Sequence, residues 1–214
     1  MKEYHKIETL FVRDMDGSKK LVEGQFRNPL VEYLKDNEWI FTEKVDGTNI
    51  RVYWDGHTIT FGGRTDNAQM PGTLVKYLND KFMNPETEQL FEQKFGETTV
   101  TLYGEGYGPK IQAAGGLYRD DVGLMLFDVK VEHTYLERSD AEEIAKCFGV
   151  DMVPVVLSGP LQDGVQYVKS KPLSVISKHE QISEGVVGVP KVRAYDHRGD
   201  RVIVKIKVRD FIQI

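Results

Sequence analysis

FTEKVDGTNIRVYW, residues 41–54, is the stretch from which the rest of the chain can be read. An apolar lead-in, Trp39-Ile40-Phe41, enters it. An alternating run leaves it, with Ile50, Val52 and Trp54 set against Arg51 and Tyr53. Apolar residues on both sides of Asp46-Gly47 predict a strand, a tight turn and a second strand. The turn chemistry is ordinary, because Asp bonds its own backbone and Gly accepts positive φ. Lys44 is the unusual residue, an ammonium at the end of an apolar strand. Taken alone it reads as a solvated lysine flanking a hairpin.

Outward from there, Asp55-Gly56 predicts another turn and 58–61 a returning strand that ends in Gly62-Gly63-Arg64-Thr65, completing a β-meander. Leu74, Leu78 and Phe82 recur at helical spacing, and a second helix after Pro85 carries Leu90 and Phe91. The strand at 100–103 runs into GEGYGPKIQAAGGLY, 104–118. Its glycines are too dense for a regular element and imply close backbone approach. VGLMLFDVKV, 122–131, reads as a strand buried on both faces. A helix begins at Ser139-Asp140 and stops near Gly149, a short strand occupies 153–157, and a helix over 161–170 is broken by Gly164. Glu184 leads a short apolar strand, and the chain closes on a hairpin of 191–195 and 201–211. The sum is one compact α+β unit dominated by antiparallel strands.

With 214 residues, 40% hydrophobic and 29% charged, the composition is that of a soluble globular protein with a full core. One cysteine, Cys147, leaves no disulfide framework and no cysteine-based zinc site. The polar start MKEYHKIETL is no secretory signal, and no apolar run nears the ~20 residues of a membrane span, so a cytosolic protein is expected. A net charge of −5 argues against a general nucleic-acid coat. The exception is 191–209, where seven Lys and Arg against two Asp leave +5.

In VIVKIKVRD, 202–210, alternation puts Val202, Val204, Ile206 and Val208 on one face and Lys205, Lys207 and Arg209 on the other. Two ammonium groups ~7 Å apart on one strand face suit a phosphate. Glu105, Glu184 and Phe127 have plain readings, two solvated strand-end carboxylates and one core ring. The information lies in their order.

That order is Lys-x-Asp-Gly at Lys44, Tyr-Gly-Glu-Gly at 103–106, Phe-Asp-Val at 127–129, Glu-Gly-Val-Val at 184–187 and Lys-Ile-Lys at 205–207. It resembles the covalent nucleotidyltransferases, which include ATP-dependent DNA ligases, RNA ligases and mRNA capping enzymes. The likeness runs from about Thr9 to Lys207. Where DNA ligases and capping enzymes carry Arg five residues after the nucleophile, this chain has Asn49, as RNA ligases do. GEGYGPKIQAAGGLY resembles the RNA ligase form of the third motif, and Gly62-Gly63-Arg64-Thr65 the arginine motif.

The resemblance implies an adenylation fold and an RNA ligase that joins 3′-hydroxyl and 5′-phosphate ends, nicked or single-stranded, through a lysyl-AMP intermediate. It implies that Lys44 attacks the α-phosphorus of ATP. Glu43 would contact adenine through its backbone and Phe127 would stack on it. Arg64 and Glu105 would hold ribose and nearby phosphate, and Asn49 would stand close to the phosphates. Lys205 and Lys207 would bind the α-phosphate, and Glu184 would help hold Mg²⁺ or Mn²⁺. The chemistry is coherent. An attacking amine must be neutral, against an ordinary lysine pKa of about 10.4, and burial with nearby cations can lower that by about 3–5 units.

Family members usually continue into a C-terminal domain after Lys-x-Lys. Seven residues follow Lys207, so a single domain, 1–214, acting as a monomer without an OB-fold or helical domain is expected. The alternatives are a minimal DNA ligase or capping guanylyltransferase, and a non-catalytic module that binds nucleotide or RNA ends.

Overall fold

The computed structural model describes residues 2–17 and 20–211. They fall into two compact units. One holds the described residues of His5–Val45, Pro154–Ile176 and Glu180–Ile214, the other those of Met1–Tyr4, Asp46–Val153 and Ser177–His179. The secondary structure is mixed, with mostly antiparallel sheets and helices.

The unit bearing Lys44 is built on a five-stranded sheet in the order Glu8–Thr9, Val204–Lys207, Gly185–Pro190, Trp39–Glu43, Val155–Gly159. Only the pairing of Glu8–Thr9 with Val204–Lys207 is parallel. Alternation gives the sheet two chemistries. Trp39, Phe41, Val186, Val204 and Ile206 are buried in one apolar cluster with Leu161, Val165 and Val168 of the helix Leu161–Lys169. Lys205 and Lys207 alternate with Val204 and Ile206 and so take the opposite face. Gly164 does not break the helix. A Cβ there would lie 2.4 Å from the Phe41 ring, so the missing side chain lets the helix seat on that ring.

In the other unit the sheet runs Asp151–Met152, Gly123–Val131, Val100–Tyr107, Thr48–Trp54, Ile59–Gly62, with Thr134–Tyr135 paired to Gly123–Val131. Ile50, Val52, Trp54, Leu102, Leu126 and Val129 form its core with Leu74, Leu78 and Phe82 of helix Gly72–Phe82, Phe91 of helix Pro85–Phe95, and Ile144 of helix Arg138–Cys147. Burying each such side chain is worth about 1.5–3 kcal/mol. Trp54 stacks on Phe91 at 5.6 Å and donates its indole N–H to Gly96 O at 2.8 Å. The second helix starts as its sequence indicates, with Pro85 in its first turn and Asn84 accepting from the Thr87 N–H.

Three expectations are corrected. Trp39–Glu43 and Thr48–Trp54 are not a hairpin, because each pairs within a different sheet, and of the expected meander the pair that forms is Thr48–Trp54 with Ile59–Gly62. The Tyr-Gly-Glu-Gly-Tyr stretch stays regular as the end of strand Val100–Tyr107. Close approach is nonetheless real, since a Cβ on Gly106 would meet Leu74 at 2.6 Å. The closing hairpin reduces to a single Tyr195–Arg201 bridge, and the last strand stops at Lys207, leaving Arg209 exposed in a short 3₁₀ turn. Among the described residues no helix is long and apolar enough to cross a membrane.

Candidate active site

Lys44 follows the last residue of strand Trp39–Glu43, and its backbone N–H still donates across the sheet to Gly185 O at 2.9 Å. Gly185 in turn registers with Lys207 on the next strand. Lys44, Gly185 and Lys207 therefore form one row across three strands, with Glu184 at its edge. Glu184 uses both carboxylate oxygens there. Oε2 accepts from Lys44 Nζ at 2.7 Å and Oε1 from Lys207 Nζ at 2.5 Å. All three side chains are largely covered, with exposures of 21%, 14% and 15% for Lys44, Lys207 and Glu184.

Lys205 joins this cluster electrostatically. Burial lowers the pKa of its ammonium, Lys207 and Lys44 push the same way, Glu8 opposes them and Lys6 adds to the lowering. Three lysines against one carboxylate leave two surplus positive charges, a site made for an anion. The protonated form of Lys205 is disfavoured in the fold, so the folded state binds fewer protons than the unfolded chain. Stability accordingly rises with pH from the lowered value up to the ordinary lysine range, and below both values the penalty is present in full. Lys205→Met is expected to raise the melting temperature of the ligand-free protein while slowing any reaction that needs the anion by about 10²-fold. A lower melting temperature would show that the ammonium is not under electrostatic strain.

Glu43 points the other way, into the core. Its carboxylate accepts from Ser174 Oγ at 2.5 Å and from the Val175 N–H at 2.8 Å. Burial raises its pKa, and those two bonds oppose the rise. The side chain is thus committed to anchoring 174–175, and only its backbone remains for a ligand.

In the second unit Asn49, Glu105 and Phe127 lie on the sheet face opposite its core. Asn49 pairs with Glu105 directly across two strands. Gly47 is required there: a Cβ would lie 2.3 Å from Gly106 O and 2.8 Å from Glu105 Cγ. Asn49 Oδ1 is buried without a hydrogen-bond donor among the described residues, so an acceptor stands ready for a ligand hydroxyl or water. Phe127 is the extra residue of a β-bulge, since Gly104 registers with Leu126 and Tyr103 with Asp128. The bulge turns Phe127 and Asp128 together away from the core, and both are half-buried. Tyr4 packs edge-on against Phe127 at 4.9 Å and donates its hydroxyl to Asp128. Arg64 is exposed in the bend after Ile59–Gly62.

Sequence reasoning missed Arg51, read as half of a polar face. It is fully buried, donating Nε to Gly63 O at 2.7 Å and Nη2 to Asp66 at 2.9 Å. It thereby fixes the turn that presents Arg64. Alternation gave its side but not its burial. Tyr4 and Ser174 were missed too, because contacts 99 or more residues away in sequence leave no local signal (Tyr4 with Tyr103, Ser174 with Glu43).

No curated protein matches the chain at significant similarity. Solved structures do. A mutant Naegleria gruberi RNA ligase with ATP and Mn aligns with a TM-score of 0.65 at 19% identity, over 97% of this chain and 56% of that one. A second mutant with ATP and Mn gives 0.61 at 20% identity, over 84% and 51%. The same ligase with PPi gives 0.59 at 21%, over 84% and 52%. This chain thus spans about half the length of the solved structures it matches. At these identities the likeness shows the fold, that of the nucleotidyltransferases. The RNA ligase family model matches residues 37–207, which include Lys44, Asn49, Arg64, Glu105, Phe127, Glu184, Lys205 and Lys207, and the chain belongs to the RNA ligase family.

Proposed function

We propose that the chain is an ATP-dependent RNA ligase that joins 3′-hydroxyl and 5′-phosphate RNA ends through a covalent Lys44–AMP intermediate. The observation that carries this reading is the Lys44–Glu184–Lys207 row with Lys205 beside it. A primary amine, the only reacting group the first step needs from the protein, sits within a surplus of positive charge suited to a phosphate.

Lys44, once its proton has left, attacks the α-phosphorus. A P–N bond forms as the bond to the α–β bridging oxygen breaks, and pyrophosphate departs with the electron pair. Lys205 and Lys207 hold the α-phosphate and neutralise charge that builds on its oxygens. Phe127 takes the adenine ring and Glu43 meets the base through its backbone. Arg64 and Glu105 hold the ribose and adjacent phosphate, and Asn49 offers its orphaned oxygen near the phosphates. An oxygen of an RNA 5′-phosphate then attacks the AMP phosphorus as the P–N bond breaks and returns the electron pair to Lys44, and the 3′-oxygen of the second end attacks that 5′-phosphorus, releasing AMP.

Among the described residues no group of three or more His, Cys, Asp or Glu side chains could hold a metal. Glu184 would hold Mg²⁺ or Mn²⁺ only as the Lys44 or Lys207 ammonium moves off one of its oxygens, and phosphate oxygens and water would complete the shell, since such ions take one or two carboxylates. When bound, the ion supplies further neutralisation of the phosphate charge. The relatives solved with ATP and Mn support both cofactors. We also take 1–214 to act as a single nucleotidyltransferase domain and monomer in the cytosol. The family model, running through both compact units, supports the single domain.

The test is incubation with α-labelled ATP and divalent metal, followed by a chase with RNA. Label is expected on the chain, then on a 5′-phosphorylated RNA end, and sealed product once a 3′-hydroxyl is supplied. A preference for GTP, or sealing of DNA ends only, would support a capping enzyme or DNA ligase instead. ATP binding without covalent label would identify a non-catalytic module.

A further inference from the structure

The fold divides the basic segment 191–209 that stood out in the sequence. Lys205 and Lys207 serve the Glu184 cluster, and Lys191 pairs with Glu38 at 2.8 Å. Arg198 and Arg201 go elsewhere. They line a cavity of about 800 Å³ whose walls belong entirely to the unit bearing Lys44. Its apolar surface comes from Pro29, Leu30 and Ile203, backed by the buried Leu10, Val31, Val202 and Val204. Lys6 and Arg27 join the two arginines on the polar side, and Tyr195 lines it with half of its surface exposed.

Three carboxylates, Glu8, Asp196 and Asp200, also line the cavity and leave these four cations a single surplus positive charge. Glu8 accepts from Arg27 at 2.8 Å and lies 3.8 Å from Lys6. Asp196 takes the Arg198 and Asp200 backbone N–H groups at 2.9 and 3.0 Å and pairs with the Arg198 guanidinium. The side chains of Lys6, Arg27 and Arg198 are 65%, 44% and 69% exposed. Ion pairs this exposed are weak and readily traded for a phosphate.

We propose that this cavity is a slot for one unstacked nucleotide of single-stranded RNA. The base enters against the apolar wall and the Tyr195 ring, and the flanking phosphates lie on Lys6, Arg27, Arg198 and Arg201. The claim rests on the ligase reading only for the identity of the polymer. The volume is that of a small-molecule site, and an aromatic ring beside cations is the usual means of holding single strands. A duplex keeps its base faces stacked and cannot fill an apolar recess. Position supports the assignment as well. The strand Glu8–Thr9 contributes to the wall and pairs with Val204 and Lys205, and Lys6 and Glu8 both act on the Lys205 ammonium. The cavity wall and Lys205 thus share one pair of strands.

The test is fluorescence anisotropy of the full chain with a labelled single-stranded RNA of about a dozen nucleotides across a salt series. Tyr195→Ala is expected to weaken binding about tenfold, and Tyr195→Phe to restore it. Lys6→Ala and Arg27→Ala should each weaken binding and lower the salt slope by about 0.7–1. Tyr33→Ala, at an exposed residue outside the cavity lining, is the control with unchanged affinity. The proposal is overturned by a parent chain that binds no RNA, by Tyr195→Ala binding normally, or by duplex RNA bound as tightly with the same Tyr195 dependence. Self-labelling of the parent with ATP separates the two readings. A chain that takes AMP but no RNA loses the slot alone, and one that binds RNA through Tyr195 but takes no AMP loses the ligase assignment alone.

Discussion

Lys44→Ala is expected to take up no AMP, a fall of about 10⁶-fold to background, as for removal of other covalent nucleophiles. The effect is a loss of chemistry rather than of fold. Glu184 keeps Lys207 at 2.5 Å when Lys44 is gone, so no carboxylate is left without a cation. The pair that is lost is largely covered, but it is lost from a cluster with surplus positive charge, so the attraction to Glu184 given up is offset by repulsion from Lys205 and Lys207 relieved. Lys44→Arg is expected to fail equally although it retains the charge, because a guanidinium stays protonated and offers no lone pair for attack. Gel detection of labelled protein measures the chemistry, and calorimetric ATP binding with a thermal melt measures the remainder. Persistent label in Lys44→Ala would place the nucleophile elsewhere and end the mechanism.

The site was legible in the sequence to the extent that it is built on strand periodicity. Alternation alone put Lys205 and Lys207 on one face, and the structure places Lys207 on the same carboxylate as Lys44. Motif order points to Glu184, Glu105 and Phe127, whose plain readings are unremarkable, and the residue five after Lys44 points to Asn49. Local pattern failed where a residue answers to a partner distant in sequence. Asp46-Gly47 has the residues of a hairpin turn, yet the strands on either side pair with Gly185–Pro190 and Val100–Tyr107. Gly164 reads as a helix breaker until the Phe41 ring beneath it is known. Arg51 reads as the polar side of an alternating strand until Gly63 O and Asp66 are found to accept from its guanidinium. The bulge that turns Phe127 outward is a property of two strands in register, so no single-strand pattern could announce it.

Gly185→Ala is expected to be the most destabilising single methyl in the active-site sheet. Glycine is required there twice over. Its φ of +146° lies in a region L-residues rarely adopt, and a Cβ would stand 2.1 Å from Ile206 O and 2.8 Å from Lys207 Cα. Neither neighbour is the end of a flexible side chain. Both belong to the backbone that registers with Gly185. Relief therefore means parting the two strands. The strained backbone costs about 1–3 kcal/mol and the overpacking a similar amount, together about 4 kcal/mol. For a chain of this size that lowers the melting temperature by about 10 °C. The same displacement breaks the row that holds Lys44 and Lys207 to Glu184, so AMP uptake should fall even below the melting transition. Gly116→Ala is the matched control, because its Cβ would meet nothing within 4 Å, and it should be neutral or stabilise by about 0.5 kcal/mol. If Gly185→Ala melted with the parent and still took up AMP at the parental rate, close approach of these two strands could not be what aligns the lysines.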